Sequence, residues 1–122
     1  MFDILIYFYY SRIMETFEAT EAFSSLSQET RLKVFRLLIE YGGDGLVPGK
    51  LASELKIPDN TLSFHLSHMT RAGLVTSKKE GRSITYFANT GLIEGLIGYL
   101  QQNCCTRQKS KSRSKSCNER SC

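Results

Sequence analysis

LASELKIPDNTLSFHLSHMTRAGLVTSKKEGRSITYFA, residues 51–88, is the stretch on which the fold turns. Leu51, Ala52 and Leu55 make one apolar face at helical spacing, and Pro48 suits the first turn of a helix over 48–55. Ile57-Pro58-Asp59-Asn60 is a tight connection. A second helix then runs from about Pro58 to Ala72, with Leu62, Leu66 and Met69 as its core stripe, and stops at Gly73. Leu74–Lys79 and Ser83–Ala88 carry β-preferring Val75, Ile84, Tyr86 and Phe87. Glu80-Gly81-Arg82 between them reads as a hairpin tip.

Outward from this stretch the chain is helical. A helix over 28–41, with Ser27 as the expected N-cap, is apolar on two faces: Leu32, Phe35 and Ile39 on one, Val34, Leu38 and Tyr41 on the other. A helix apolar on two sides is central in its domain, and Gly42-Gly43 ends it. Ahead of it, Ala19, Ala22, Phe23 and Leu26 share one face of a short helix over 15–26. Behind the hairpin, Leu92, Ile93, Leu96, Ile97 and Leu100 line a last helix over 90–103. The class is therefore mainly α with a β-hairpin. Two short helices joined by a tight turn and followed by a hairpin form a winged helix-turn-helix.

Three regions follow: an N-terminal extension over 1–14, a folded domain over 15–103, and a tail over 104–122. The extension opens MFDILIYFYYSRI, which is too short to span a bilayer and lacks the basic start and cleavage site of a signal peptide. No other stretch suits a membrane, and Met14 is an alternative start. The net charge of +4 is uneven. Residues 1–103 hold 10 Lys/Arg against 11 Asp/Glu, whereas 104–122 hold 6 against Glu119 alone. Such a basic, Ser-rich tail suits either loose attraction to polyanions or a solvated, disordered end. All four cysteines, Cys104, Cys105, Cys117 and Cys122, lie in it. The domain thus has no disulfide framework, which points to the reducing cytoplasm.

The second helix of a helix-turn-helix enters the major groove and meets base edges near its N-terminus. With Leu62, Leu66 and Met69 inward, Asn60, Phe64, Ser67, His68 and Arg71 point outward. Asn60, Thr61, Ser63 and Ser67 can donate and accept to bases or phosphates. Arg71 suits a phosphate, as do the free N–H groups at the helix start. Phe64 is either a thymine-methyl contact or an idle exposed ring. His65 and His68 are either donors to DNA or packed side chains; no third ligand accompanies them for zinc. Lys78, Lys79 and Arg82 surround the hairpin tip, where they either clamp phosphates or are merely solvated.

Leu26-Ser27-Gln28-Glu29-Thr30-Arg31-Leu32, Leu51–Leu55, Asn60–Met69, Ala72-Gly73-Leu74-Val75 and Glu80–Tyr86 together resemble the ArsR-type family of metal- and metalloid-responsive repressors. The likeness covers Leu26 to Leu100. It implies a homodimer on an inverted-repeat double-stranded DNA operator, released by an inducer, with no enzymatic activity and no required cofactor. Many arsenic sensors of this family carry a Cys-x-Cys before the recognition helix, but Glu54–Asp59 has no cysteine. Zinc sensors use His, Asp and Glu on the last helix, where Gly91–Asn103 offers only Glu94. Gln101-Gln102-Asn103-Cys104-Cys105 resembles instead a subset in which a Cys pair ending the last helix binds As(III). There a third thiolate follows, nearer the pair than Cys117 or Cys122 is here.

Trivalent arsenic or antimony is soft and prefers thiolates. Cys104 and Cys105 supply two sulfurs, Cys117 or Cys122 a third through a flexible linker, and Arg107 and Lys109 favour the thiolate form. Idle thiols, a redox disulfide and a Zn²⁺ or Cd²⁺ site are the competing readings. A thiol reductase would need a C-x-x-C that the chain lacks. A winged-helix module for protein partners would show an acidic or apolar face where Asn60–Arg71 is polar to basic. Dimer packing is expected through Phe23, Leu92, Leu96 and Leu100.

Overall fold

A computed structural model describes residues 14–109. The order is α1 (Thr16–Leu26), α2 (Glu29–Tyr41), a 3₁₀ turn (Gly42–Asp44), α3 (Pro48–Leu55), α4 (Asp59–Arg71), β1 (Val75–Glu80), β2 (Ser83–Ala88) and α5 (Thr90–Gln101). This is the winged helix-turn-helix the periodicities predict.

Local chemistry explains the boundaries. Glu15 and Glu18 make a reciprocal capping box at the start of α1. The N-cap of α2 is Gln28, whose side chain accepts from the Arg31 N–H at 2.9 Å. Ser27, expected to hold that role, closes α1 instead: its N–H donates to the Phe23 carbonyl at 2.9 Å. The corner between the two helices is so short that Ser27 is consumed by the first. Pro48 does open α3. β1 and β2 pair antiparallel from Val75↔Ala88 to Glu80↔Ser83, so the turn is only Gly81-Arg82, with Gly81 at φ +63°. Leu46 adds a bridge to Tyr86 through bonds of 3.0 and 2.8 Å, tying the loop before α3 to the hairpin.

The core sits around α2, as its two-sided pattern implies. Val34 and Leu38 are wholly buried, packed with Ala22 of α1, Leu51 of α3, and Leu62 and Met69 of α4. Met14, assigned by the sequence to the extension, is buried in this same core. Leu92 and Leu96 of α5 are also core residues. That corrects the expectation that they form a dimer seam; the apolar side chains that α5 leaves exposed are Ile97 and Leu100.

Asn89 joins α5 to the end of the recognition helix. Its Oδ1 accepts from the Leu92 N–H at 3.2 Å, capping α5, while its Nδ2 donates to the Gly73 carbonyl at 2.9 Å. Its own N–H donates to the Leu74 carbonyl at 2.8 Å. Asn89→Ala loses cap and clamp together, so urea titration is expected to show a loss of about 1–2 kcal/mol. A change below about 0.3 kcal/mol would mean that water replaces both bonds.

Beyond α5, bonds from the Cys104, Thr106 and Gln108 N–H groups to carbonyls three residues earlier form successive turns. These turns run as far as Arg107. Residues 110–122, with Cys117 and Cys122, lie outside the described residues. Among the described residues no helix is long and apolar enough to cross a membrane.

Candidate nucleic-acid interface

α4 buries Leu62, His65, Leu66 and Met69 and turns the opposite side outward. Asn60, Thr61, Ser63, Phe64, Ser67 and Arg71 are all exposed there. Phe64 keeps 62% of its surface accessible, well outside the core it would occupy if packing alone placed it. Arg71 Nη1 donates to Ser67 Oγ at 3.0 Å, so the guanidinium lies along the helix surface. Asp59 brings negative charge to the first turn of α4. It complements the helix dipole but disfavours a phosphate at that N-terminus.

α4 and the wing enclose an open groove of about 300 Å³, lined by Pro48, Ser63, Ser67, Thr70, Arg71, Ser77 and Tyr86 among others. Its walls are mostly hydroxyls, with one cation at the edge. Thr70 and Ser77 were not singled out in the sequence, because their place emerges only when β1 docks beside α4. On the wing, Lys78 pairs with Glu80 at 3.5 Å. Lys79, one residue along, falls on the same face of the strand as Ser77. Lys79 and Arg82 are exposed and have no ion pair among the described residues.

The two histidines resolve toward packing. His65 is buried, with 8% of its surface exposed and Nδ1 3.2 Å from Arg31 Nη1. Burial, then Arg31, then His68 push its pKa below the ordinary 6.5. Its ring meets Phe64 edge-on at 5.5 Å. The periodicity already held the signal: at about 100° per residue His65 falls some 60° from Leu62, inside the apolar arc. His68 is half-buried, with Nδ1 3.0 Å from Ser25 Oγ.

Gln102 and Asn103 separate the end of α5 from Cys104 and Cys105, whose sulfurs lie 3.1 Å apart. Cys105 is a disulfide cysteine. No group of three or more His, Cys, Asp or Glu that could hold a metal ion occurs among the described residues.

Residues 26–78 match the model of a family described as a helix-turn-helix domain. An uncharacterized HTH-type transcriptional regulator of Methanocaldococcus jannaschii is 39% identical over 90 residues, 73% of this chain and 99% of that one. A protein of Halobacterium salinarum described as an arsenical resistance operon repressor, ArsR, is 39% identical over 59 residues, 48% of this chain and 45% of its own. The chain belongs to the helix-turn-helix transcriptional regulators. This regulator shares its fold with an ArsR-like regulator from Rhodococcus, at TM-score 0.66 and 24% identity over 84% of this chain and 92% of that one. Its family is one of DNA-binding regulators, which are not enzymes.

Proposed function

We propose that this regulator is a homodimeric repressor that leaves its operator when As(III) or Sb(III) binds thiolates at the end of α5. The observation that carries the reading is the Cys104–Cys105 pair, whose sulfurs lie 3.1 Å apart shortly past a helix rooted in the core and offer two soft donors once Cys105 is reduced. The arsenical-resistance relative supports the same trigger. Cys117 or Cys122 supplies the third sulfur. Exposed Ile97 and Leu100 of α5, with Phe17 and Phe23 of α1, form the face that takes the second subunit.

On DNA, α4 enters the major groove of an inverted repeat. Asn60, Thr61, Ser63 and Ser67 meet base edges, Phe64 a thymine methyl, and Arg71, Lys79 and Arg82 the backbone. Lys78 contributes less, because Glu80 already holds it. His65 and His68 act from within the fold. Ligand at the end of α5 shifts that rigid helix, and Asn89 passes the shift to Gly73 and Leu74 just after α4.

Release of a labelled promoter fragment by arsenite, followed by anisotropy with the protein kept reduced, tests the reading. Retained binding with arsenite present would refute the trigger. A second reading, release on thiol oxidation, is favoured by the Cys105 disulfide; peroxide in place of arsenite separates the two. Lys79→Ala, which removes one phosphate contact from each subunit of the dimer, is expected to weaken binding to all sequences alike and to lower the salt slope by about 1.8. An unchanged slope would take Lys79 off the DNA.

A further inference from the structure

The Ser-Gln-Glu-Thr-Arg run at the start of α2 touches neither the groove face nor the cysteines. One side chain in it reaches the recognition helix. Arg31 donates through Nε to the Ser25 carbonyl at 2.7 Å and through Nη1 toward His65 Nδ1 at 3.2 Å. Ser25, with no accessible surface, places Oγ 3.0 Å from His68 Nδ1. The α1–α2 corner therefore grips α4 at two points, i and i+3, just short of one helical turn apart.

We propose that Arg31 and Ser25 are positioning residues for DNA recognition: through His65 and His68 they set the angle at which α4 presents Ser63, Phe64 and Ser67. Neither touches DNA. Two hydrogen bonds at separate points fix rotation as well as height, which packing of Leu62, Leu66 and Met69 alone leaves softer. Selective binding needs base-edge groups held to within fractions of an ångström, whereas phosphate attraction tolerates a tilt.

The two grips respond differently to acid. A guanidinium is only a donor, so His65 Nδ1 must be the acceptor and the ring neutral, with its proton on Nε2. Protonation puts an N–H against an N–H and a cation beside a cation. The Ser25 hydroxyl can turn and accept, so the His68 contact survives protonation. The charged groups acting on His65 are Arg31 of α2 and His68 of α4. α1 presents the uncharged Ser25, and no charged group of α3 or β1 among the described residues acts on it. Because His65 titrates below its ordinary 6.5, the grip is intact at neutral pH and is lost as pH falls through that lowered value.

The test compares the full chain on two duplexes, one selected from random sequence by the protein itself and one of scrambled sequence. Anisotropy is read from pH 7.5 to 5. Wild type is expected to lose selectivity, the ratio of the two affinities, on the acid side by about tenfold. His65→Gln keeps a neutral acceptor and should hold its ratio flat across that range. Arg31→Met should cut the ratio about tenfold at pH 7.5, with scrambled-duplex affinity within about twofold of wild type. Arg31→Lys should recover part of it. If Arg31→Met fails to fold, His65→Gln decides alone. An acid loss that persists in His65→Gln, or a folded Arg31→Met with wild-type selectivity, overturns the proposal.

Discussion

Gly45→Ala is expected to destabilise the folded chain by about 2–4 kcal/mol, combining the cost of a glycine-only backbone conformation with a steric clash. Gly45 sits at φ +65°, ψ −175°. A Cβ there would lie 2.6 Å from the Tyr86 carbonyl oxygen and 2.7 Å from the Phe87 ring. The oxygen belongs to backbone that also accepts from Leu46 at 3.0 Å, so it cannot step aside without breaking the bridge. The alternative, moving the loop, uncouples the hairpin from α3 and opens the groove beside α4. Gly43→Ala is the control. Nothing lies within 4 Å of its added carbon and its φ is not positive, so it should stay within about 0.5 kcal/mol of wild type. Thermal unfolding of the pair reads the difference directly, and equal midpoints would show that the Leu46–Tyr86 bridge is not held as described.

Replacing Cys104 and Cys105 together by Ser is expected to abolish release by arsenite while leaving DNA affinity within about twofold, since allosteric coupling resides in the ligand's contacts. Serine keeps the size and polarity but removes the soft donor. Both residues lie beyond Gln101, the last residue of α5, and neither belongs to the core. In wild type, arsenite should weaken binding by roughly 5- to 150-fold, the usual span of such coupling. Anisotropy under reductant measures both values. A double variant that still lets go with arsenite would move the site off the pair. Single Cys117→Ser and Cys122→Ser variants then assign the third sulfur, whichever of them abolishes release.

The five helices, the hairpin and their order were legible because each element carries its own period and punctuation. Leu62, Leu66 and Met69 announce α4, and Gly42, Gly73 and Gly81 mark three of the breaks. The outward placing of Asn60, Phe64, Ser67 and Arg71 followed from the same arithmetic, whereas His68, expected outward as well, is half-buried against Ser25. Finer assignments required neighbours. Leu92 and Ile97 are equally apolar, and only the packing of the whole fold decides that one is core and the other exposed. Ser27 is the better N-cap in isolation, but the tightness of the corner gives it to α1 and leaves the role to Gln28.

By itself the sequence determined which segments fold, which side of α4 faces out, and that every thiol lies beyond the last helix. Those properties depend on near neighbours along the chain, where periodicity and composition are sufficient. Only the tertiary structure decided that Arg31 reaches His65 across 34 positions and Ser25 reaches His68 across 43. It also decided that Ser77 and Thr70 share a groove. Such contacts join residues distant in sequence, and they exist because the helices bury their apolar faces together and bring polar groups into reach at the margins of that core.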